Sequence, residues 1–570
     1  MEQFIEEIHR HKMDALVRKI CRKHKVKGAS VMLVDRTKVL YENYYGVVDE
    51  AGTPNAAERR MMIGSNQKML TGLAIMTLVD QGKLSLKDDV RTILPEFSIR
   101  SRDGDQPIRV GDVLMHRAGL PGDDFSLILK HGEPLTAVLD ALKDTYTTVK
   151  PGVMFAYSNL GYGLLGLIIE KVSGMDYADY MKKRVLKPLG MDDVDFLDDD
   201  EARKAASATI SQAFDKKGKQ VNDDLGSVVP AGSSTYATAR SLAKLAWLFL
   251  NPEKPALLKK ESLAQMLKAP ESPHMLDGEQ RIGLGIMHHE KRYYNHKVGP
   301  LLGHGGATIC HISVFHFFPR QGLGIIVLTN SRGGMHAAGH IADRVALEAL
   351  KAKGLEMPKM RKNTQKLATK TNTDFVKDYV MPGMKLSLYK DKKGRMVAKM
   401  PPFKATFKAC KDGYIKGFPR GLTRIPPLAV HVKRLRIKHV DREGMDVLYL
   451  EQKRPYHEVT IPMMGALEHV TIPTAWRDAL GDYVVSETHA HVKPYFKKVK
   501  LEEKKGHLVL SLVVLDSKMS VYLKALNDEE ALIQGIGRSA QETVFLRRDG
   551  DKVSLKHQGV LLDQHKKAKA

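Results

Sequence analysis

Residues 59–76 read RRMMIGSNQKMLTGLAIM. Gly64 leads into Ser65-Asn66-Gln67-Lys68, and an apolar run follows. Met69, Leu70, Leu73, Met76, Leu78 and Val79 recur at helical spacing, which predicts a helix over 66–82 stopped by Gly82. A serine and a lysine three residues apart on that helix share one face, one turn apart. A serine hydroxyl is a poor nucleophile at neutral pH and needs a base within hydrogen-bond reach. A lysine amine buried at the start of an apolar helix loses its proton more easily, and the free N–H groups of the helix N-terminus can hold an oxyanion. Ser65-x-x-Lys68 therefore has the makings of an acyl-transfer device. The same spacing occurs in Ser241-Leu242-Ala243-Lys244 and Ser387-Leu388-Tyr389-Lys390, but Ser65 is the one that follows a glycine and opens a long apolar run.

Outward from this helix, residues 29–47 read as two strands around the turn Asp35-Arg36-Thr37. Residues 159–173 form an apolar helix with three glycines, and 233–250 a third helix. Two strands, 309–318 and 323–329, flank Pro319-Arg320-Gln321-Gly322, and a helix over 335–352 follows. Strands at both ends with helices between predict one α/β unit of about 350 residues.

Beyond it the composition changes. Residues 354–373 read as a polar linker, and the rest as short strands with turns, spaced as in antiparallel barrels or sandwiches. Asp378-Tyr379-Val380 and Asp482-Tyr483-Val484 open two such blocks 104 residues apart, a faint repeat. The expected divisions are 1–353, a linker 354–373, a barrel-like unit 374–472 and a second at 473–570. The chain of 570 residues carries a net charge of +24. Residues 356–570 hold 42 Lys and Arg against 24 Asp and Glu, so +18 of that excess lies in the β-rich part. It is spread between apolar residues without an aromatic-basic motif, which points to a solvated surface and not to nucleic acid. No apolar run reaches membrane-spanning length, and the opening MEQFIEEIHRHKMD is too charged for a signal peptide, so a cytoplasmic location is expected. Cys21, Cys310 and Cys410 are too far apart to pair as metal ligands.

Two further stretches carry chemistry. Tyr157-Ser158-Asn159 precedes the second helix; a phenolate near a lysine can take a serine proton, and the Asn amide can orient the lysine or a substrate carbonyl. Tyr41-Glu42-Asn43 and Tyr293-Tyr294-Asn295 share the pattern without that setting. His304-Gly305-Gly306 stands before Ala307, where glycines let a substrate approach a strand whose N–H groups can serve an oxyanion. His557-Gln558-Gly559 has a similar pattern without a strand pair.

The order SxxK, YxN, HxG resembles the serine β-lactamase and penicillin-binding-protein family, most of all its class C branch with the related esterases and D-amino-acid peptidases. Leu84–Val90, Ile108–Leu120, Lys187–Met191, Pro230–Ser233 and Gly283–Gly285 also fall in family order, so the resemblance covers roughly residues 10–350. It implies a β-lactamase-like domain whose antiparallel sheet is flanked by helices. It also implies that Ser65 is acylated, that Lys68 and Tyr157 share the proton, and that Asn159 contacts Lys68 and the substrate. The N–H groups of Ser65 and Ala307 would form the oxyanion hole beside His304, Gly305 and Gly306. His304 stands where β-lactamases carry a lysine, which relaxes the demand for a substrate carboxylate. With its β-rich tail the architecture resembles D-aminopeptidases, which pair an HxG motif with lipocalin-like barrels and can send a barrel loop into the active site. If such a loop selects an ammonium group, Asn527-Asp528-Glu529-Glu530 is a candidate. The expected activity is hydrolysis of small peptides or amides, plausibly of N-terminal D-residues; an esterase of small acyl esters and a weak β-lactamase or DD-peptidase-like activity stay open. No metal or organic cofactor is implied. The expected partners are a small-molecule or short-peptide substrate and further copies of the chain, with no membrane.

Overall fold

The computed structural model describes the chain except residues 1, 131, 198–199, 222–234, 254, 271–276, 278–279, 290–297, 356–375, 401–402, 412, 420–434, 443–444, 455–456, 516 and 566–570. Most of the expected linker, and Pro230–Ser233 with Tyr293–Asn295, lie outside the described residues.

The first unit is a seven-stranded antiparallel sheet. Its centre is Gly28–Val34, Leu323–Thr329 and Ile312–Phe318; Leu301–Ala307 lies beside the last of these. Gly28–Val34 and Leu323–Thr329 are buried at every position because helices cover both faces of the sheet. Glu2–His24 and Gly334–Ala352 pack on one face, where Val17, Ile20, Ile341 and Val345 join the sheet in one apolar cluster. On the other face lie Gln67–Asp80, Asn159–Ser173 and Ala239–Leu250. Gln67–Asp80 is apolar nearly all round, with Lys68 through Leu78 buried, as befits a helix at the centre of the layer.

The third helix corrects the sequence reading. It runs only over Ala239–Leu250, while Thr235–Ala237 is a strand paired with Met61–Met62. A β-branched residue and an aromatic suit the extended form, and the Thr238 hydroxyl then accepts from Ser241 N–H at 3.1 Å as the N-cap. The short strand matters to the site, since Ile63 N–H donates to Thr235 O at 3.0 Å just before the serine turn.

Two closed eight-stranded antiparallel barrels follow, one from Asp378 to Ala466 and one from Gly481 to Gln564. Closure removes the exposed sheet edges. In each, the first strand pairs with the last, through Tyr379↔Ala466 and Tyr483↔Gln564. The two tyrosines of the faint Asp-Tyr-Val repeat thus occupy matching places, both buried in the barrel interiors. Among the described residues no helix is long and apolar enough to cross a membrane.

Candidate active site

Ser65 sits in a single turn, Gly64–Asn66, immediately ahead of the Gln67–Asp80 helix. Two glycines allow that turn to touch the Leu301–Ala307 strand. Gly64 has φ +52°, and a Cβ there would stand 2.6 Å from Ala307 N. A Cβ on Gly306 would stand 2.0 Å from Ile63 O, so both contacts exclude any side chain. Gly305 has no such crowding; its nearest neighbour would be Ser313 O at 3.9 Å. The Ser65 and Ala307 backbones consequently lie side by side. His304, Gly305 and Gly306 are themselves part of the strand, paired with Phe315, Val314 and Ser313, whereas the sequence had placed the strand after them. Asn66 Nδ2 donates to Ser313 Oγ at 2.6 Å and Ser313 Oγ to Ile63 O at 2.6 Å, pinning the turn to the sheet.

Lys68 is fully buried, and its Nζ donates to Ser65 Oγ at 3.2 Å and to Asn159 Oδ1 at 2.7 Å. Burial, seconded by the nearby Arg538 cation, depresses its pKa far below the usual lysine range despite Asp123. Tyr157 hydrogen-bonds Ser65; burial pushes its phenol up to about 12, so it is neutral at neutral pH. Its ring stacks on His116 with centroids 4.2 Å apart, and Lys68 Nζ lies 5.0 Å from its centroid. Asn159 begins the helix that Ser158 caps, the Ser158 hydroxyl accepting from Gly161 N–H at 2.9 Å. His304 is buried, and burial together with Lys68 pulls its pKa down to about 3. It is therefore a neutral imidazole, with Nδ1 2.6 Å from Gly305 O. The geometry brings Ser65, Lys68, Tyr157, Asn159, His304, Gly305, Gly306 and Ala307 into one cluster.

The lesser motifs build its supports. Gly285, at φ +82°, leaves no room for a Cβ beside Lys68 O, which would be 2.9 Å away. His116 accepts from Ser158 N–H at 3.0 Å through Nδ1. The decoys go elsewhere: Lys244 Nζ bonds Gly190 O, and Tyr41 bonds Asp14.

Sequence reasoning missed Asp123, Arg538 and Glu542. Asn159 Nδ2 donates to Asp123 Oδ1 at 2.6 Å. Arg538, from the loop 534–542 of the second barrel, donates to Asp123 Oδ2 through Nε at 2.8 Å and to Oδ1 through Nη2 at 2.6 Å. Its only local signal is the pair of glycines at 535 and 537, both with positive φ. Glu542 is buried and accepts from Gly122 N–H at 2.9 Å and from Gln558 Nε2 at 2.9 Å; burial pushes its carboxyl up to about 7. The acidic candidate at 527–530 faces elsewhere: Glu530 pairs with Arg102 at 2.8 Å and accepts from the Tyr146 hydroxyl at 2.9 Å. The His557-Gln558-Gly559 pattern turns a hairpin, and Gln558 O accepts from Phe125 N–H at 2.8 Å, docking barrel on domain.

Beside Ser65 lies a cavity of about 170 Å³. Asp123, Asn159 and Ala307 line one side, and Phe496, Val514, Leu515 and Arg538 of the second barrel line the other. Apart from the polar cluster its walls are apolar, with Phe125 edge-on to Phe496 at 5.5 Å.

The chain is similar to several known proteins. Protein flp of Staphylococcus aureus strain N315 is 33% identical over 187 residues, 32% of this chain and 38% of its own length, so the chain spans less than half of that relative. The crystal structure of SurE covers 81% of this chain and 100% of its own with a TM-score of 0.58 at 21% identity; that of SurE with D-Leu gives 0.55. The octameric penicillin-binding protein homologue from Pyrococcus abyssi covers 79% of this chain and 99% of its own, with a TM-score of 0.52 and 23% identity. These are likenesses of fold, while residues 11–350, which supply the serine, lysine, tyrosine and histidine motifs, match the family described as Beta-lactamase. The match takes in more than half of the chain, which thus belongs to the Beta-lactamase family of serine hydrolases.

Proposed function

We propose that the chain hydrolyses esters and amides of small apolar acyl groups through an acyl-enzyme on Ser65. The observation that carries this reading is the contact of a buried, depressed-pKa Lys68 with Ser65 Oγ at 3.2 Å, at the floor of a cavity with apolar walls. In the acylation step Ser65 Oγ forms the bond to the substrate carbonyl carbon and its proton passes to neutral Lys68. The neutral Tyr157 phenol bridges Ser65 and the leaving group, donating the proton that the departing amine or alcohol needs. The Ser65 and Ala307 N–H groups hold the carbonyl oxygen as it becomes an oxyanion. Water then releases the acyl group by the same steps reversed.

Substrate choice follows from charge. A β-lactam or a C-terminal peptide presents a carboxylate, and a neutral His304 offers it no cation. An aminopeptidase must hold an ammonium, and the cavity's Asp123 is already committed to Arg538 and Asn159. A D-residue whose amine is acylated, presented as an ester or amide, meets both conditions, and the D-Leu complex of SurE supports D-stereochemistry. A D-specific aminopeptidase is the second reading, with the architecture in its favour.

The test is turnover of p-nitrophenyl acetate and butyrate, N-acetyl-D-leucine and N-acetyl-L-leucine p-nitroanilides, and free D-leucine p-nitroanilide, with Ser65→Ala as control. Ser65-dependent cleavage of the esters and the blocked D-anilide supports the proposal. Preference for the free D-anilide would replace it with the aminopeptidase reading.

A further inference from the structure

Arg538 arrives at the site from far along the chain. It stands on the loop 534–542 of the second barrel, and that loop is wedged tightly. A Cβ on Gly535 would stand 2.5 Å from Val380 O of the first barrel, and Ile536 packs against Val447 and Tyr449. Arg538 keeps 49% of its side-chain surface accessible because it borders two cavities, the one at Ser65 and another of about 520 Å³ beside Tyr157. Its guanidinium nonetheless forks onto both oxygens of Asp123, with the carbon of the fork 5.2 Å from the Tyr157 ring centroid. From Asp123 the chain of contacts runs through Asn159 Nδ2 at 2.6 Å and Asn159 Oδ1 to Lys68 Nζ at 2.7 Å.

We propose that Arg538 is a positioning residue: by clamping Asp123 it orients the Asn159 amide toward Lys68 and keeps the Asp123 carboxylate from pairing with the Lys68 amine.

The physical argument lies in the surroundings of Lys68. Among the described residues, the titratable or charged groups shown around its amine are Tyr157, Tyr162, His116, His304, Asp123 and Arg538. The histidines are held neutral by burial and the tyrosines are phenols with raised pKa values. Asp123 is thus the one anion in that set, and a carboxylate near a buried amine favours the protonated, non-basic form. Arg538 answers it with an opposite charge and two hydrogen bonds. Asn159 is fixed in the same act: the carboxylate can only accept, so the Asn NH₂ must face Asp123 and its oxygen must face Lys68. The second barrel accordingly sets the basicity of a lysine that belongs to the first domain.

This inference rests on the acyl-enzyme reading, and the experiment separates the two. The pH profile of kcat/KM for p-nitrophenyl acetate is measured on the full chain for wild type, Ser65→Ala, Arg538→Gln, Arg538→Lys and the pair Asp123→Asn with Arg538→Gln. Turnover by wild type that is absent in Ser65→Ala upholds the acyl-enzyme; its absence from wild type would overturn that reading itself. With it upheld, Arg538→Gln is expected to move the acidic limb to higher pH by about one unit or more, since the uncancelled Asp123 raises the lysine. Rate should recover at alkaline pH. Arg538→Lys should shift the limb less, and the double variant should return it toward wild type. An unmoved limb in Arg538→Gln, with a loss that is uniform in pH or confined to KM, would overturn the proposal and leave Arg538 a substrate contact. A double variant whose limb stays with Arg538→Gln would overturn it too.

Discussion

One wall of the Ser65 cavity includes Ser65, Asn159 and Ala307, each inside a short local pattern, with Asp123, Phe125 and Ile128 beside them; the facing wall includes Phe496, Val514, Leu515 and Arg538, which stand in no pattern of their own. The first wall is held by close backbone approaches at Gly64 and Gly306 and by the sheet. The second is held by docking: Phe125 N–H on Gln558 O, Gly122 N–H on Glu542, and Arg538 on Asp123. The first barrel has the same topology, yet its contacts with this region brace the loop from behind: Val447 and Tyr449 pack on Met154 and Ile536, and Val380 O lies against Gly535. On the proposed function the difference separates chemistry, built where backbones meet closely, from selection, built where one unit meets another.

The sharpest way to break that division is Ser65→Ala. If the first wall holds the chemistry, ester hydrolysis falls by at least about 10³-fold, since only binding and oxyanion donors remain. Residual turnover near wild type would move the chemistry elsewhere. Next comes a contrast within one motif. Gly306→Ala must drive a methyl into Ile63 O and should cost about 1–3 kcal/mol and most of the activity, while Gly305→Ala meets only Ser313 O at an ordinary contact distance of 3.9 Å and should keep activity within a few-fold. Thermal unfolding and ester kinetics on both variants check this, and equal effects would sink the argument from the close approach.

The second wall predicts a smaller and different loss. Phe496→Ala should raise KM for p-nitrophenyl butyrate by up to about 10-fold with kcat little changed, as expected for lost apolar contact. Tyr449→Ala on the first barrel should lower stability more than it alters KM. A kcat effect at Phe496 as large as its KM effect would blur the two walls into one. The smallest effect on activity concerns Glu542. Its carboxyl is raised to about 7 by burial, so the folded protein holds that proton more tightly than the unfolded chain does. Stability from this group is complete at acid pH and is lost as pH rises through about 7. Glu542→Gln should therefore flatten the fall in unfolding midpoint between about pH 4.5 and about pH 7, an effect of up to about 3 kcal/mol. An unchanged slope would show that the docking interface carries no such linkage.

By itself the sequence determined the fold class of the first part and most of the residues that the structure gathers into the candidate site. The apolar periodicity of 66–82 and 159–173, the strand pair near 309–329 and the spacing of Ser65, Lys68, Tyr157, Asn159 and His304 are local, and helices, turns and nucleophile–base pairs are written at short range. It also marked both barrels, because alternation and a repeated Asp-Tyr-Val survive in single strands. It misjudged Thr235–Ala237, where pairing with Met61–Met62 outweighs helix continuation. Only the tertiary structure decided which barrel loop enters the site. Asp123 and Arg538 are 415 residues apart, each looks like any surface charge, and their meeting depends on how barrel and domain dock. The sequence suggested an acidic loop at 527–530; the fold delivered a cation instead, since Glu530 is drawn off by Arg102 and Tyr146 while Gly535 and Gly537 let the next loop turn inward. Charge type can be read from a residue, but the partner that gives it a role is set by packing.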